Sequence, residues 1–141
     1  MEDSAAVAAG LPRRLGAMVY DTILVVALLA FTLTPIVAIN DSYVYGAPVQ
    51  TLLFLEIYGF FAYFWLTRHQ TLGMLAWRLT IETLNQKPLT LNQVTLRWVG
   101  ALASFLCLGL GYLWQLFDKQ SRSWSDLLSS TRVVYRVKPP A

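Results

Sequence analysis

With 141 residues, the chain is long enough for one small domain and too short for two. Hydrophobic residues make up 56% and charged residues 13%, with a mean hydropathy of +0.50. Soluble domains are roughly a quarter charged, so lipid is the expected solvent. The net charge of +3 is modest, and its cations are not clustered with aromatics in a polar segment, which argues against nucleic acid as a partner. One cysteine, Cys107, and one histidine, His69, exclude an intrachain disulfide and leave no ligand set for zinc, and no cofactor is implied.

Residues 1–10 are small and polar without a period, so a disordered N-terminus is expected, as is a disordered tail at 138–141. The charge order of MEDSAAVAAGLPRR is not that of a cleaved signal peptide, so the first apolar segment is expected to stay as an anchor. From Leu15 to Ile39 the only charge is Asp21. About 20 residues cross a bilayer core, so this stretch predicts a tilted span, with Pro35 kinking or ending its far part. A polar turn follows at Asn40–Pro48, then a second span at about Val49–Leu66 whose single charge is Glu56. Tyr58, Tyr63 and Trp65 suit the wet end of that span or the seam between helices.

The segment from Thr67 to Trp98 is mixed. TLGMLAWRL predicts a short amphipathic interfacial helix, with Leu72, Leu75, Trp77 and Leu79 dipping into lipid. LTIETLNQKPLTL alternates around Asn85-Gln86 and reads as a small hairpin or extended loop. A further helix begins at about Leu91, capped by Thr90 or Asn92.

Val99 to Phe117 is apolar and reads either as a third span or as a re-entrant hairpin. The positive-inside rule favours the hairpin. The turn at 40–50 carries no Lys or Arg, and doubling back at Gly109 and Gly111 would keep all eleven basic residues on the cytoplasmic side. Glycine both weakens a helix and permits a left-handed turn, and a turn at that depth must be covered by protein. Beyond it, SWSDLL suits an interfacial helix start capped by Ser123 or Ser125. TRVVYRV suits a short strand or extended tail that could pair with LTIET. The fold class that results is an all-α membrane protein: two transmembrane helices, a third apolar helical segment and interfacial amphipathic pieces, spanning 11–137.

Asp21 is the most informative residue. A carboxylate within a span costs about 2.5–3.5 kcal/mol on insertion scales, so it faces protein or water and has a partner. Glu56 is the second such acid. At different depths in adjacent helices, Asp21 and Glu56 could form a step for protons or cations, or could simply hold the helices together through hydrogen bonds. Asp126, flanked by Trp124 and Leu127, is either a first-turn acid favoured by its helix or the partner of Arg14 across the fold. No catalytic constellation is visible, and an enzyme is not expected. Cys107 reads as a small core residue.

Three stretches resemble the RDD family, named for one arginine and two aspartates. RRLGAMVYD carries Arg14, Ala17 and Asp21 in the spacing of the family's first signature. RHQTLGMLAWRLTI looks like its middle segment at Gln70, Thr71, Leu72 and Gly73, with His69 where glycine is common and Met74 where lysine is common. FDKQSRSWSDLLSSTRVV looks like its closing signature around Asp126 and Thr131. The resemblance implies a bacterial or archaeal membrane protein with Arg14, Asp21 and Asp126 as namesake residues, in a family for which proton-coupled cation exchange has been suggested. Two functions are therefore expected as alternatives. One is a proton- or cation-coupled transport component working as a homo-oligomer. The other is an accessory subunit that binds or assembles a larger membrane complex. Either would sit in the bilayer of a bacterial inner membrane with its N-terminus cytoplasmic.

Overall fold

The structure is a computed structural model that describes residues 6–40 and 44–137. Its first long element is α1, Leu11–Asn40, and the second is α2, Ala47–Arg68. Both are long and apolar enough to cross a membrane, and most of their side chains face outward from the protein. An apolar surface of that extent is stable only against lipid. Pro35 does not end α1, which runs five residues beyond it. Gly46, with φ of 122°, and Pro48 in the first turn start α2, the glycine supplying a backbone conformation other residues avoid.

Thr32 Oγ1 donates to Glu56 Oε1 at 2.6 Å, and this bond sets the register of the two helices. Eleven residues back from Thr32 is Asp21, and eleven on from Glu56 is Thr67. Asp21 therefore lies level with the end of α2, and α1 extends two further turns past it to Arg14.

The expectation of an all-α protein is corrected. Three short strands, β1 (Ala6–Ala8), β2 (Leu79–Thr83) and β3 (Thr131–Arg136), form an antiparallel sheet in the order β1-β3-β2. Ala6 pairs with Arg136, and Ile81 pairs with Val133. The anticipated partnership of TRVVYRV with LTIET is thus present. The hairpin around Asn85-Gln86 is not: a turn follows β2, and β2 finds its ladder with β3. Ala6–Ala8, within the stretch expected to be disordered, is a strand because β3 offers it an edge; residues 1–5 and the tail at 138–141 lie outside the described residues, as do 41–43 of the turn after α1.

The interfacial helix is shorter than its amphipathic pattern suggests. It is α3, Leu72–Ala76, capped by Thr71, whose Oγ1 accepts from the Met74 N–H at 3.1 Å. Leu72, Leu75 and Trp77 are partly exposed, but Leu79 is 1% exposed in β2 and belongs to the core. Its strand places it in the same buried core cluster as Ala9, Trp65, Met74 and Val133 rather than in lipid.

The third apolar segment is not one straight helix. Helix α4, Leu91–Leu106, begins at Thr90 with a reciprocal cap: Thr90 N–H donates to Gln93 Oε1 and Gln93 N–H donates to Thr90 Oγ1. It ends at Cys107, and after a bend of 108° the chain continues as α5, Leu110–Leu113, with a tight turn at Trp114–Leu116. The break falls where the glycines suggested: Leu108 and Gly109 both have positive φ, 57° and 82°. Cys107, at that corner, is exposed rather than a core residue. Helix α6, Trp124–Ser129, follows and leads into β3. Because β3 is hydrogen-bonded to strands on both sides, the chain after the bend is back beside the residues that precede α1.

Candidate functional site

Asp126 sits at the third position of α6 with none of its surface exposed. Ser123, the residue that caps this helix, donates its N–H to Asp126 Oδ2 at 3.2 Å. The same oxygen receives Arg14 Nη1 at 2.6 Å, and Oδ1 receives Arg97 Nη1 at 2.7 Å. Burial pushes the Asp126 pKa up, but Arg97 and Arg14 outweigh it and hold the carboxyl below the usual aspartate range.

Arg14 is a junction rather than a lone partner. Its Nη2 donates to Ser121 O at 3.0 Å and its Nε to Ala9 O at 3.3 Å, so one side chain ties α1 to the chain before α6 and to the end of β1. Arg97 Nη1 also donates to Thr131 Oγ1, and Ser129 Oγ shares a hydrogen bond with that hydroxyl at 2.7 Å. Helices α4 and α6 come close enough for this because Gly100 faces Ser125: a Cβ on Gly100 would stand 2.6 Å from Ser125 Cα.

Asp21 anchors a second junction. Thr71 Oγ1 donates to Asp21 Oδ2 at 2.5 Å and the Gly73 N–H donates to Oδ1 at 2.8 Å. The backbone of α3 therefore lies directly on α1, and a Cβ on Gly73 would be 2.2 Å from Ala17 O. Gly16 makes the same allowance for Trp77, whose Cε2 would be 2.5 Å from an added Cβ. Gln70, from the same loop, only approaches Thr80 Oγ1 at 3.5 Å, so of the three loop residues it alone does not meet Asp21.

Between these junctions is a cavity of about 260 Å³. Arg14, Asp21, Thr71, Arg97 and Ser123 form its polar end. Phe61 and Ile57, one and two turns further along α2 from Trp65, line the rest together with Met18, Ala101 and Leu102. Trp65 closes the wall beside Arg97, whose guanidinium carbon is 5.2 Å from the indole ring. Glu56 is not part of this cavity; it stays with Thr32, eleven residues from Asp21 along α1. Among the described residues no cluster of three or more His, Cys, Asp or Glu side chains could hold a metal.

The namesake residues are therefore brought together only in part: Arg14 meets Asp126, and Asp21 forms a separate clamp on the 71–73 loop. Sequence reasoning missed Arg97, which it counts as a topology cation. The available signal is its place on α4, a lone arginine in LNQVTLRWVGALASFL, where a cation on an otherwise uncharged helix needs a buried partner.

Two long lipid-exposed helices closed at one end by a small sheet and buried arginine–aspartate contacts define a helical membrane protein. The chain belongs to the RDD family, whose model matches residues 8–130. No curated protein matches it, and no solved structure does.

Proposed function

We propose that the chain is a proton- or cation-coupled transport component, working as a homo-oligomer in the bacterial inner membrane with its N-terminus cytoplasmic. Asp21 is the protonatable group. The observation that carries the reading is the position of the Asp21 carboxylate: it lines the cavity, and both its oxygens are held by neutral donors, Thr71 Oγ1 and Gly73 N–H. A carboxylate without a cationic partner can exchange a proton or accept a cation, whereas Asp126, fixed by two arginines, cannot. On this reading residues 99–117 re-enter the membrane, a topology supported by the return of β3 to its place between β1 and β2. Two spans cannot enclose a path alone, so several protomers share it. No bond is made or broken, and no enzyme activity is assigned.

The decisive experiment is flux in proteoliposomes with a pH-sensitive dye inside, comparing the native protein with Asp21→Asn after both are shown to be folded. Flux that depends on Asp21 supports the reading; no flux across several cations from well-folded protein overturns it.

A second reading, an accessory or assembly subunit of a larger membrane complex, is favoured by a specific observation. Asp21 and Glu56 are held apart on their own partners, Thr71 with Gly73 and Thr32, so the two acids do not form one step. Under that reading Asp21→Asn weakens the fold without any transport phenotype, and affinity isolation from membranes recovers a stoichiometric partner.

A further inference from the structure

The cavity wall holds two buried donors that its own residues do not satisfy. At its polar end two guanidinium groups, Arg14 and Arg97, share the carboxylate of Asp126, while the other carboxylate there, Asp21, is held by Thr71 and Gly73. Arg97 spends only Nη1 on its hydrogen bonds, to Asp126 and Thr131. Its Nε is buried without an acceptor, and so is the indole Nε1 of Trp65, the residue stacked beside it. Arg97 and Trp65 are 5% and 7% exposed, so neither donor is satisfied by open water. Buried donors without acceptors are costly, and native proteins avoid them unless something else supplies the acceptor. The unused Nε–Nη2 edge of a guanidinium presents two parallel N–H groups, a fork that fits a carboxylate or phosphate in a bidentate way.

The rest of the cavity says what such an oxyanion is attached to. Moving along α2 from Trp65, the lining becomes Phe61 and then Ile57, and from α4 it receives Ala101 and Leu102. Thr22 and Leu102 at its edge are exposed on the protein's outer surface, Thr22 on the apolar helix α1. Polar groups near the end of α2 and apolar groups deeper along it give the same polarity order as a lipid of that leaflet.

We propose that this cavity is a binding site for an acyl-chain-bearing oxyanion, its anionic head on Arg97 and Trp65 and its chain along Phe61 and Ile57. A phospholipid of net negative charge and a fatty acid share this chemistry, whereas phosphatidylcholine, whose phosphate is already neutralised by its own choline, does not. The inference does not rest on transport, since a protein that binds such a lipid and moves nothing would still satisfy it.

The test is native mass spectrometry of the full chain released from nanodiscs of phosphatidylcholine containing phosphatidylglycerol, repeated with added oleate and with inorganic phosphate. Trp65→Phe keeps the ring and removes the N–H; Arg97→Lys keeps the charge and removes the fork. Arg132→Gln removes an arginine from the exposed pair with Glu82, outside the cavity, and controls for general charge. The expected result is one retained phosphatidylglycerol per chain, displaced by oleate if a carboxylate serves as well. Retention should be weakened about tenfold or more by Trp65→Phe and by Arg97→Lys and unchanged by Arg132→Gln. Should Arg97→Lys fail to fold, Trp65→Phe decides alone. Equal retention of phosphatidylcholine, equal losses in Arg132→Gln, or unchanged retention in folded Trp65→Phe would overturn the site. Displacement by millimolar inorganic phosphate would make it a soluble-anion site and overturn its acyl character.

Discussion

Arg14 and Asp126 stand 112 positions apart in the chain, yet their side chains meet at 2.6 Å with 7% and 0% of their surfaces exposed. Removing one member of a buried pair strands the other, which costs about 3–5 kcal/mol. Asp126→Asn should therefore lower the melting temperature in detergent sharply or abolish monodisperse protein, because it strands two arginines. A charge reversal, Arg14→Asp with Asp126→Arg, would restore an isolated pair. Here it should not, since the new arginine would face Arg97, now 2.7 Å from Oδ1. Recovery of the melting temperature by the reversal would show that Arg97 is not a working partner.

The same cluster fixes the direction of a pH effect. The Asp126 pKa in the fold lies below its ordinary value of 3.8. A group whose folded pKa is depressed contributes stability above the unfolded pKa and loses it as pH falls through the folded one. Melting curves should show the Asp126 contribution constant from pH 5 upward, starting to fall near 3.8 and gone below the folded value. The stability difference between the native protein and any folded Asp126→Asn should shrink over that acid range and stay constant above it.

Much of this arrangement is legible in the sequence, and the rest is not for identifiable reasons. The spans are legible because Leu15–Ile39 and Val49–Leu66 each hold one charge, and a long apolar run has few alternatives. The cap at Thr90 and the break at Gly109 are local chemistry. The sheet is harder, because β1 is three residues of Ala and Val whose strand identity comes wholly from the edge of β3. Leu79 looks like a lipid-facing residue of an amphipathic helix, but β2 pairing turns it into the core. Arg97 is hidden for a related reason: its role depends on Gly100 letting α6 approach, a contact that no spacing within α4 reveals.

Gly73 is a test of how tightly α3 lies on α1. Its missing Cβ leaves room for Ala17 O, a backbone atom that cannot rotate away, and for Asp21 Oδ1 at 2.8 Å. Gly73→Ala should cost about 1–3 kcal/mol through overpacking and should also break the Gly73 N–H bond to Asp21. Gly59, with open space around it, is the matched control: Gly59→Ala should be neutral or slightly stabilising in the same thermal assay.

Thr71 does two jobs with one hydroxyl, donating to Asp21 and accepting from the Met74 N–H. Thr71→Ser keeps both and should leave the melting temperature nearly unchanged. Thr71→Val removes both, stranding an acidic oxygen and uncapping α3, at a cost of about 1–3 kcal/mol. Equal behaviour of the two variants would mean that Asp21 is held by Gly73 alone.

The bend between α4 and α5 rests on two glycines for different reasons, and substitution separates them. Gly109 has φ of 82° with nothing within 4 Å of an added Cβ, so Gly109→Ala meets only backbone strain, about 1–2 kcal/mol. Gly111 is short of space instead: an added Cβ would lie 1.9 Å from Ser104 Oγ and 2.6 Å from Ser104 Cβ. Gly111→Ala should then couple to residue 104, while Gly109→Ala should not. Ser104→Gly alone costs up to about 1 kcal/mol in a helix interior, but combined with Gly111→Ala it removes the two nearest clashing atoms and leaves only Trp124 Cδ2 at 2.9 Å. A double-mutant cycle on melting should therefore give a favourable coupling for the 104–111 pair and additive losses for 104–109. Additivity in both cycles would mean that α5 does not pack back on α4.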